Sequence, residues 1–245
     1  MKVGIKLWST NSDLYEKFIE LYKKGSADYL EIKYILGRKE KLNLLRNNNI
    51  PVIIHAPNYI DGACFSDGDL KKNKAIFKEL ADVAEYLNAG GIIIHPEIGT
   101  ERNFIEFLKN VDNSKIIIEN MPQKTICGMA IGFDHKTLKK FLDAGKCRFC
   151  LDFCHAIKSA VLQNLDYRKY IEKLLELKPE MFHICDGHSD SIEDEHLNLG
   201  EGDFDLEFLK NKIKNKRVTL EVPKKEGLYN DLKNIQFLRN IKTSK

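Results

Sequence analysis

Two short stretches decide the fold class: Gly-Gly-Ile-Ile-Ile-His at residues 90–95 and Lys-Ile-Ile-Ile-Glu at residues 115–119. Each contains three consecutive isoleucines with no polar residue between them. Such runs are typical of parallel strands that are buried on both faces. The segment 70–87, just before the first run, has apolar residues at 76, 77, 80, 83, 84 and 87, which is helical spacing. Strands that alternate with helices in this way predict a parallel sheet with crossover helices.

The same alternation extends along the whole chain. Strands are predicted at residues 3–8, 28–33, 51–55, 91–95, 115–119, 148–152, 181–185 and 218–222, and helices at 14–24, 39–47, 70–87, 102–108, 136–144, 167–177, 206–213 and 228–240. Eight strand–helix units in 245 residues predict an α/β fold, a closed (β/α)8 TIM barrel. Because no Pro-, Gly- or Ser-rich linker interrupts the series, we expect a single domain over residues 1–245, with a solvated end at residues 242–245.

The composition is that of an ordinary globular protein, with 31% charged and 43% hydrophobic residues, which excludes a disordered chain. No apolar run reaches the roughly 18–20 residues that a membrane span needs, and the first residues lack the pattern of a signal peptide. We therefore expect a cytoplasmic protein without a membrane partner or an obligate protein partner. The net charge of +3 permits a phosphate-bearing partner without requiring one.

Histidines and carboxylates cluster at the predicted strand ends, which in a barrel converge on the face that carries the active site. Strands three to six end at His55, His95, Glu119 and Asp152, His155 is expected in the following loop, His183 and Glu221 lie near the ends of the last two strands, and Asp194 and His196 lie in the loop between those two. These positions hold five of the seven histidines of the chain. The sequence therefore predicts one polar site at this face.

A single histidine or carboxylate at a strand end is more often a structural residue or a helix cap. Many such groups directed into one barrel mouth would repel one another and lose hydration, so a multivalent cation is the simplest compensation. Imidazole mixed with carboxylate suits Zn²⁺, with Mn²⁺ or Fe²⁺ as alternatives. The set is too large for one tetrahedral ion and favours two or three ions with shared carboxylates, an arrangement that hydrolyses phosphate esters. One-metal aldose–ketose chemistry would need fewer ligands and a free acid–base pair.

The same residues lie in a series of short motifs: Ile-His55-Ala-Pro, His95-Pro-Glu, Ile-Glu119-Asn, Leu-Asp152-Phe-Cys-His155-Ala, His183-Ile-Cys-Asp186, Asp194-Glu-His196-Leu-Asn-Leu-Gly-Glu-Gly202 and Leu-Glu221. Their order resembles the endonuclease IV family of apurinic/apyrimidinic endonucleases, within the xylose isomerase-like barrels. The resemblance runs from residue 51 to residue 223 and covers most of the chain. Its most specific parts are the Asp-x-x-His-Ala motif and the Asp-x-His motif with its Leu-Gly-Glu-Gly continuation.

The resemblance implies a metal-dependent hydrolase that cuts damaged duplex DNA on the 5′ side of abasic sites. It implies three zinc ions, one on His55, His95 and Glu119, a second on Glu119, Asp152, His183 and Glu221, and a third on His155, Asp194 and His196. Glu119 and Glu221 would be the catalytic residues, because Glu119 would bridge two ions and Glu221 would orient the attacking water. Asp186 would either fix the second ring nitrogen of a ligating histidine or cap its own backbone.

The residues expected to contact the substrate match the family less completely. The family has a Tyr soon after the first histidine, whereas this chain has Asn58 followed by Tyr59. After strand two the family has a longer loop with an Arg, whereas this chain has a shorter loop in which Arg38 is the candidate phosphate contact. A shorter set of loops could weaken the binding of duplex DNA or direct the site to a smaller phosphate ester.

The sequence also allows two other functions. A sugar or sugar-phosphate isomerase or epimerase of the same superfamily would use Glu119, Asp152, His183 and Glu221 around one divalent metal, and it would leave the other predicted ligands without a role. A barrel retained only to bind nucleic acid or protein would be expected to have gaps in the ligand set. The sequence has no such gap.

Overall fold

The computed structural model describes residues 1–224 and 227–241, so the predicted solvated end at 242–245 lies outside the described residues. Parallel strands form a closed barrel in the order β1-β10-β9-β8-β5-β4-β3-β2. Their bounds are Lys2–Trp8 for β1, Tyr29–Lys33 for β2, Val52–His55 for β3, Ile92–Ile94 for β4, Ile116–Glu119 for β5, Arg148–Asp152 for β8, Met181–Ile184 for β9 and Arg217–Leu220 for β10. The predicted (β/α)8 TIM barrel is confirmed. That all 245 residues form one domain stays a prediction.

Helices connect the barrel strands, and a short antiparallel hairpin lies between β5 and β8. The helices are α1 Tyr15–Lys23, α2 Leu42–Asn47, α3 Leu70–Tyr86, α4 Glu101–Lys109, α5 His135–Gly145, α6 Phe153–Leu162, α7 Tyr167–Leu175, α8 Leu206–Ile213 and α9 Tyr229–Asn240. The hairpin consists of β6, Lys124–Thr125, and β7, Gly128–Met129. Within the described ranges, no helix combines the length and the apolar character that crossing a bilayer requires.

The isoleucine runs form strands because both of their faces are buried. Ile93 and Ile117 are neighbours across β4 and β5 and belong to the cluster that fills the inside of the barrel. The isoleucines on either side of them pack in the larger core between the strands and the helices. Since side chains of a strand alternate between its faces, a strand with a core on each side needs no polar position.

The expectation that His155 lies in a loop is wrong. His155 lies in the first turn of α6, which follows β8 without a connecting residue. The residues of α6 from Phe153 to Ala160 are all buried. A helix that is buried all round has no polar stripe, so its sequence lacks the amphipathic periodicity by which the other helices were predicted. The hairpin β6–β7 was also missed, because strands of two residues carry no alternation pattern.

The helix predicted from residue 39 begins three residues later, at Leu42. Lys41 precedes it with a φ of 56°, in the left-handed region, which cannot continue a right-handed helix. The basic residues around Arg38 therefore lie in a turn before α2.

Candidate metal centre

The barrel brings all nine predicted ligand residues to one end. His55, Glu119 and Asp152 are the last residues of their strands, whereas His95 and Glu221 directly follow theirs. The other four are His155 in α6, His183 in β9, and Asp194 and His196 in the segment between β9 and α8. Since all the barrel strands run parallel, these side chains share the carboxyl-terminal face of the sheet.

Among the described residues, five groups of possible ligand atoms lie within 4.8 Å of one another; two of them combine predicted ligands with Glu31 or Cys150. The other three together contain all nine predicted ligands: His55, His95 and Glu119; Glu119, Asp152, His183 and Glu221; and His155, Asp194 and His196. They are called here the first, second and third ligand groups. Their membership is the same as that of the three zinc sites implied by the family resemblance.

Glu119 belongs to two ligand groups and presents one oxygen to each. Its Oε2 lies 3.4 Å from His55 Nε2 and 3.0 Å from His95 Nε2, in the first group. Its Oε1 lies 3.2 Å from His183 Nδ1, in the second group, and 3.5 Å from His155 Nδ1. A carboxylate placed in this way can bridge two cations.

In the third group, Asp194 lies between two histidines. Its Oδ2 lies 2.8 Å from His196 Nε2 and 3.4 Å from His155 Nε2. The segment between β9 and α8 that carries Asp194 is held against α6 by Lys158, whose Nζ donates to the backbone oxygen of His188 and to Glu195 Oε2, both at 2.8 Å. Helix α6 therefore supplies His155 to the third group. It also supplies Lys158, which holds the segment that carries Asp194 and His196.

Each cluster histidine uses one ring nitrogen for a fixed contact and directs the other towards its ligand group. The fixed contacts are His55 Nδ1 with Ala56 O at 2.8 Å, His95 Nδ1 with Glu97 Oε1 at 3.2 Å, His155 Nδ1 with Asn120 O at 2.8 Å, His183 Nε2 with Glu31 Oε2 at 2.9 Å, and His196 Nδ1 with Glu221 O at 2.9 Å. Carbonyls and carboxylates only accept hydrogen bonds, so each contacting nitrogen carries a proton, and the other ring nitrogen is the one available to a metal ion. This is how ligating histidines are held in metalloproteins.

Asp152 divides its two oxygens between structure and site. Its Oδ1 caps α6 by accepting from the backbone N–H of His155 at 2.7 Å. Its backbone is fixed by Asn120, whose Nδ2 donates to Asp152 O at 3.0 Å and whose Oδ1 accepts from Asp152 N at 2.8 Å. The second carboxylate oxygen, Oδ2, is left facing the second ligand group. Asp152 can therefore cap α6 with one carboxylate oxygen and remain a candidate metal ligand with the other.

Several buried ligand atoms have no hydrogen-bond partner within the described part of the chain. They are His55 Nε2, His95 Nε2, Glu119 Oε2, Asp152 Oδ2 and His183 Nδ1. Buried polar atoms without partners are costly and rare in native proteins. Because every one of these atoms belongs to the first or the second ligand group, the residues fit divalent cations with imidazole and carboxylate ligands, as Zn²⁺ has in proteins.

The electrostatics of the site also favour cation binding. Burial lowers the pKa of His95, but the charges and hydrogen bonds of Glu119 and Glu97 together outweigh burial and raise that pKa to about 9. Burial likewise lowers the pKa of His155, but Asp152, Asp194 and Glu119 together raise it to about 10. For His55, burial and the positive charge of Lys6 lower the pKa to about 4. Without a metal ion, protons on His95 and His155 therefore supply part of the positive charge that the carboxylates need.

Two residues at the site have backbone conformations that favour glycine. Glu97 has a φ of 59° and His196 has a φ of 50°, both in the left-handed region. Glu97 contacts His95, and His196 is a predicted ligand. Strain of this kind is retained where the side chain has a function that the surrounding structure enforces. No role was predicted for Glu97, although it lies in the His-Pro-Glu motif.

Lys6 and Glu31 were missed entirely. Both lie inside the barrel, with 7% and 0% of their surface exposed. Glu31 contacts His183, and Lys6 Nζ lies 2.5 Å from Glu221 Oε1. The only signal in the sequence is a charged residue in the middle of an otherwise apolar strand, which is unusual for a buried position.

Asp186 fulfils the second of its two expected roles. Its carboxylate accepts hydrogen bonds from the backbone N–H groups of Gly187 at 2.9 Å, Gly200 at 2.8 Å and Phe204 at 3.2 Å. The alternative, a contact with the ring of a ligating histidine, is therefore corrected: Glu31 and Glu97 make two of those contacts, and backbone oxygens make the other three.

A cavity of about 820 Å³ opens above the ligand groups. Asn58 and Tyr59 line it, as do the exposed apolar residues Trp8 and Ile126. Arg38 is not among the residues that line it, and its guanidinium lies 3.3 Å from Glu40 Oε1. The structure thus brings two of the three predicted substrate contacts to the cavity. The volume is within the range of small-molecule and cofactor sites.

Comparison with known proteins shows the family to which this chain belongs. A family model described as xylose isomerase-like TIM barrel matches residues 11–241. A probable endonuclease 4 from Clostridium beijerinckii is 30% identical over 200 residues, which cover 71% of this chain and 70% of the relative. The chain belongs to the endonuclease 4 family of xylose isomerase-like TIM barrels. A second member, a probable endonuclease 4 from Halothermothrix orenii, is 26% identical over 235 residues, or 82% of each chain.

Solved structures show how widely the fold of this endonuclease 4 family member is shared. Endonuclease IV from Thermus thermophilus has a TM-score of 0.74 and 18% identity, with 98% of each chain covered. A 3-keto-D-glucoside 4-epimerase from E. coli has a TM-score of 0.65 and 12% identity, with 98% of this chain and 99% of the epimerase covered. At such identities the likeness concerns the fold alone, so the reaction has to be argued from the site.

Metal binding to this endonuclease 4 family member should release protons. Because the pKa of His95 and that of His155 are raised to about 9 and about 10, both rings are protonated at neutral pH after chelation, and a metal ion must displace those protons. We expect zinc affinity to rise about tenfold per pH unit for each proton released, from about pH 6 to pH 8. Calorimetric titrations in two buffers of different ionisation enthalpy would count the protons.

The control is His135→Ala, which removes a histidine outside the ligand groups and should leave the proton count unchanged. A zinc affinity that is independent of pH would contradict the protonation of His95 and His155 in the metal-free site.

Proposed function

We propose that this protein is a metal-dependent phosphodiester hydrolase that cleaves duplex DNA on the 5′ side of abasic sites, as in base excision repair. The observation that carries the proposal is the completeness of the three ligand groups, with Glu119 shared by two of them. The named endonuclease 4 relatives support the reaction class. A hydrolase of this type would use three Zn²⁺ ions, and Mn²⁺ or Fe²⁺ would also suit the imidazole and carboxylate ligands.

In this proposal each ligand group holds one ion, so the nine ligands are His55, His95, Glu119, Asp152, His155, His183, Asp194, His196 and Glu221. Ions bound there would generate hydroxide near neutral pH and stabilise the attacking and leaving oxygens. The task of the protein is to hold these ligands in place before the substrate binds. The fixed second nitrogen of every cluster histidine supports that role.

Glu119 and Glu221 are the proposed catalytic residues. Glu119 would bridge the first two ions through its two oxygens. Glu221 would orient the attacking water through Oε2, because Lys6 already binds its Oε1 at 2.5 Å. The water oxygen would form a new bond to phosphorus while the bond from phosphorus to the 3′ oxygen of the preceding nucleotide breaks. The products would be a 3′-hydroxyl, which takes up a proton, and a 5′-phosphate on the abasic sugar.

The lining of the cavity supports a nucleic-acid substrate. Lys124 supplies positive charge for phosphates, whereas Lys33 is paired with Asp61 at 2.9 Å. Trp8 and Tyr59 offer aromatic faces on which bases or sugars can pack. Asn58 and Tyr59 follow directly after the motif of His55 and are the proposed contacts at the damaged nucleotide. Arg38 lies outside the cavity wall, so as a DNA contact it would reach the backbone of flanking nucleotides.

A second candidate, a sugar or sugar-phosphate isomerase or epimerase, is favoured by one observation. The second ligand group is complete by itself and would bind a single divalent metal. That reaction would leave His95, His155, Asp194 and His196 without a role, although each is oriented by a fixed contact of its own or by a neighbouring ligand. The hydrolase explains the larger set of residues.

The function is tested by incubating zinc- or manganese-loaded protein with a duplex that carries one abasic-site analogue. We expect a nick on the 5′ side of the analogue, and no nick after chelation. Absence of a nick with about three ions bound per chain would contradict the abasic-site substrate and direct the search to smaller phosphate esters. Absence of a nick with one ion bound would favour the isomerase or epimerase.

Removing one ligand of the third group should distinguish the hydrolase from the isomerase or epimerase, because only the hydrolase uses that group. We expect His196→Ala to lose one of three metal ions, counted by elemental analysis, and about 100-fold or more in nicking rate. His196 lies in a loop, so the barrel should keep its thermal unfolding midpoint. His135→Ala is the matched control, because His135 lies at the start of α5, contacts Glu176 and belongs to none of the ligand groups. Full activity in His196→Ala would contradict the third metal site.

A further inference from the structure

Lys6 and Glu31 form an ion pair inside the barrel that lies outside the three ligand groups, although Glu31 is within 4.8 Å of ligand atoms of His55, His183 and Glu221. They are direct neighbours across β1 and β2, and Lys6 Nζ lies 3.4 Å from Glu31 Oε1. Both side chains are at least nine-tenths buried. A buried ion pair is weak evidence for stability, because the desolvation of two charges can exceed their attraction. The contacts of this pair point instead to a role at the site.

The Glu31 half of the pair determines the proton position on His183. Glu31 Oε2 accepts from His183 Nε2 at 2.9 Å and from Thr219 Oγ1 at 2.6 Å. Because Nε2 is occupied by this contact, Nδ1 is the ring nitrogen that the His183 side chain directs to the second ligand group. That Nδ1 lies 3.2 Å from Glu119 Oε1 and 2.6 Å from Glu221 Oε1.

The Lys6 half of the pair acts directly on a ligand. Lys6 Nζ donates to Glu221 Oε1 at 2.5 Å, across the contact between β1 and β10 that closes the barrel. One ammonium group thus binds both Glu31 and Glu221. Lys6 therefore contacts one member of the second ligand group, Glu221, directly, and it contacts a second member, His183, through Glu31.

We propose that Lys6 and Glu31 are positioning residues that preassemble the second ligand group. Glu31 holds the His183 ring with Nδ1 available, and Lys6 neutralises Glu31 and fixes the rotamer of Glu221. The inference rests on the proposed function in one respect, that the second ligand group binds a metal ion. A carboxylate that orients a ligating histidine typically contributes about 10–100-fold to metal affinity.

The test uses Co²⁺, whose visible absorption reports the ligand set, in the full-length wild type and in Lys6→Met, Glu31→Gln and the double variant. Affinities are measured by competition with a chromophoric chelator, and stability by thermal unfolding of the metal-free proteins. We expect Glu31→Gln to weaken one Co²⁺ ion about 10–100-fold and to change its absorption spectrum. Lys6→Met should lower the unfolding midpoint, because it leaves Glu31 buried without its cation.

The double variant distinguishes a role of the pair in positioning metal ligands from a role in folding stability alone. Removing both charges should restore the unfolding midpoint of Lys6→Met towards that of the wild type, while the affinity for the one Co²⁺ ion stays weak. A merely structural pair would restore the midpoint and the affinity together. Tyr34→Phe is the matched control, because it removes a buried residue's hydroxyl that bonds to Glu79 and makes no contact with Lys6 or Glu31.

Two results would overturn the inference, and they are distinguishable. Wild-type affinity and an unchanged spectrum in Glu31→Gln would show that the pair has no effect on the ligand group. A wild-type protein that binds no Co²⁺ at the second ligand group would overturn the proposed function, and with it this inference.

Discussion

The carboxylate of Glu119, which presents one oxygen to each of two ligand groups, is the contact on which the rest of the site depends. It is effective only because the barrel is closed: β5 carries Glu119 between β4 and β8, and the residues at the ends of those strands reach it from both sides. Five histidines and four carboxylates at one barrel end would be unfavourable in isolation. Among the described residues, the buried ligand atoms without partners belong to the first and second groups, and cations would satisfy them.

The surroundings of the predicted ligands would hold them in place for a metal ion. Backbone carbonyls orient some of the histidines, and carboxylates orient others. Glu97 and His196 both have left-handed backbone conformations. In these conformations the Glu97 side chain contacts His95 and the His196 side chain contacts Asp194. Lys158 and Lys6, two buried lysines on different sides of the centre, hold the loop of the third group and the ligands of the second. Preorganisation of this kind is what a site must have before its substrate arrives.

The sequence predicted the strands and the ligands because both have local signals. Isoleucine runs that are buried on two faces identify strands, and a histidine or carboxylate at a strand end is placed by the barrel itself. Helix α6 was missed because it is buried all round and has no polar stripe. Lys6 and Glu31 were missed for another reason: Lys6 meets Glu221 and Glu31 meets His183 only through barrel closure, 215 and 152 residues apart in sequence. No local pattern encodes such contacts.

The measurement that tests this account most directly is a crystal structure of the zinc-loaded protein with diffraction data collected at the zinc absorption edge. We expect three anomalous peaks, one within each ligand group, with Glu119 between the first and the second. A single peak among Glu119, Asp152, His183 and Glu221 would contradict it, because that is the one-metal arrangement expected of an isomerase or epimerase.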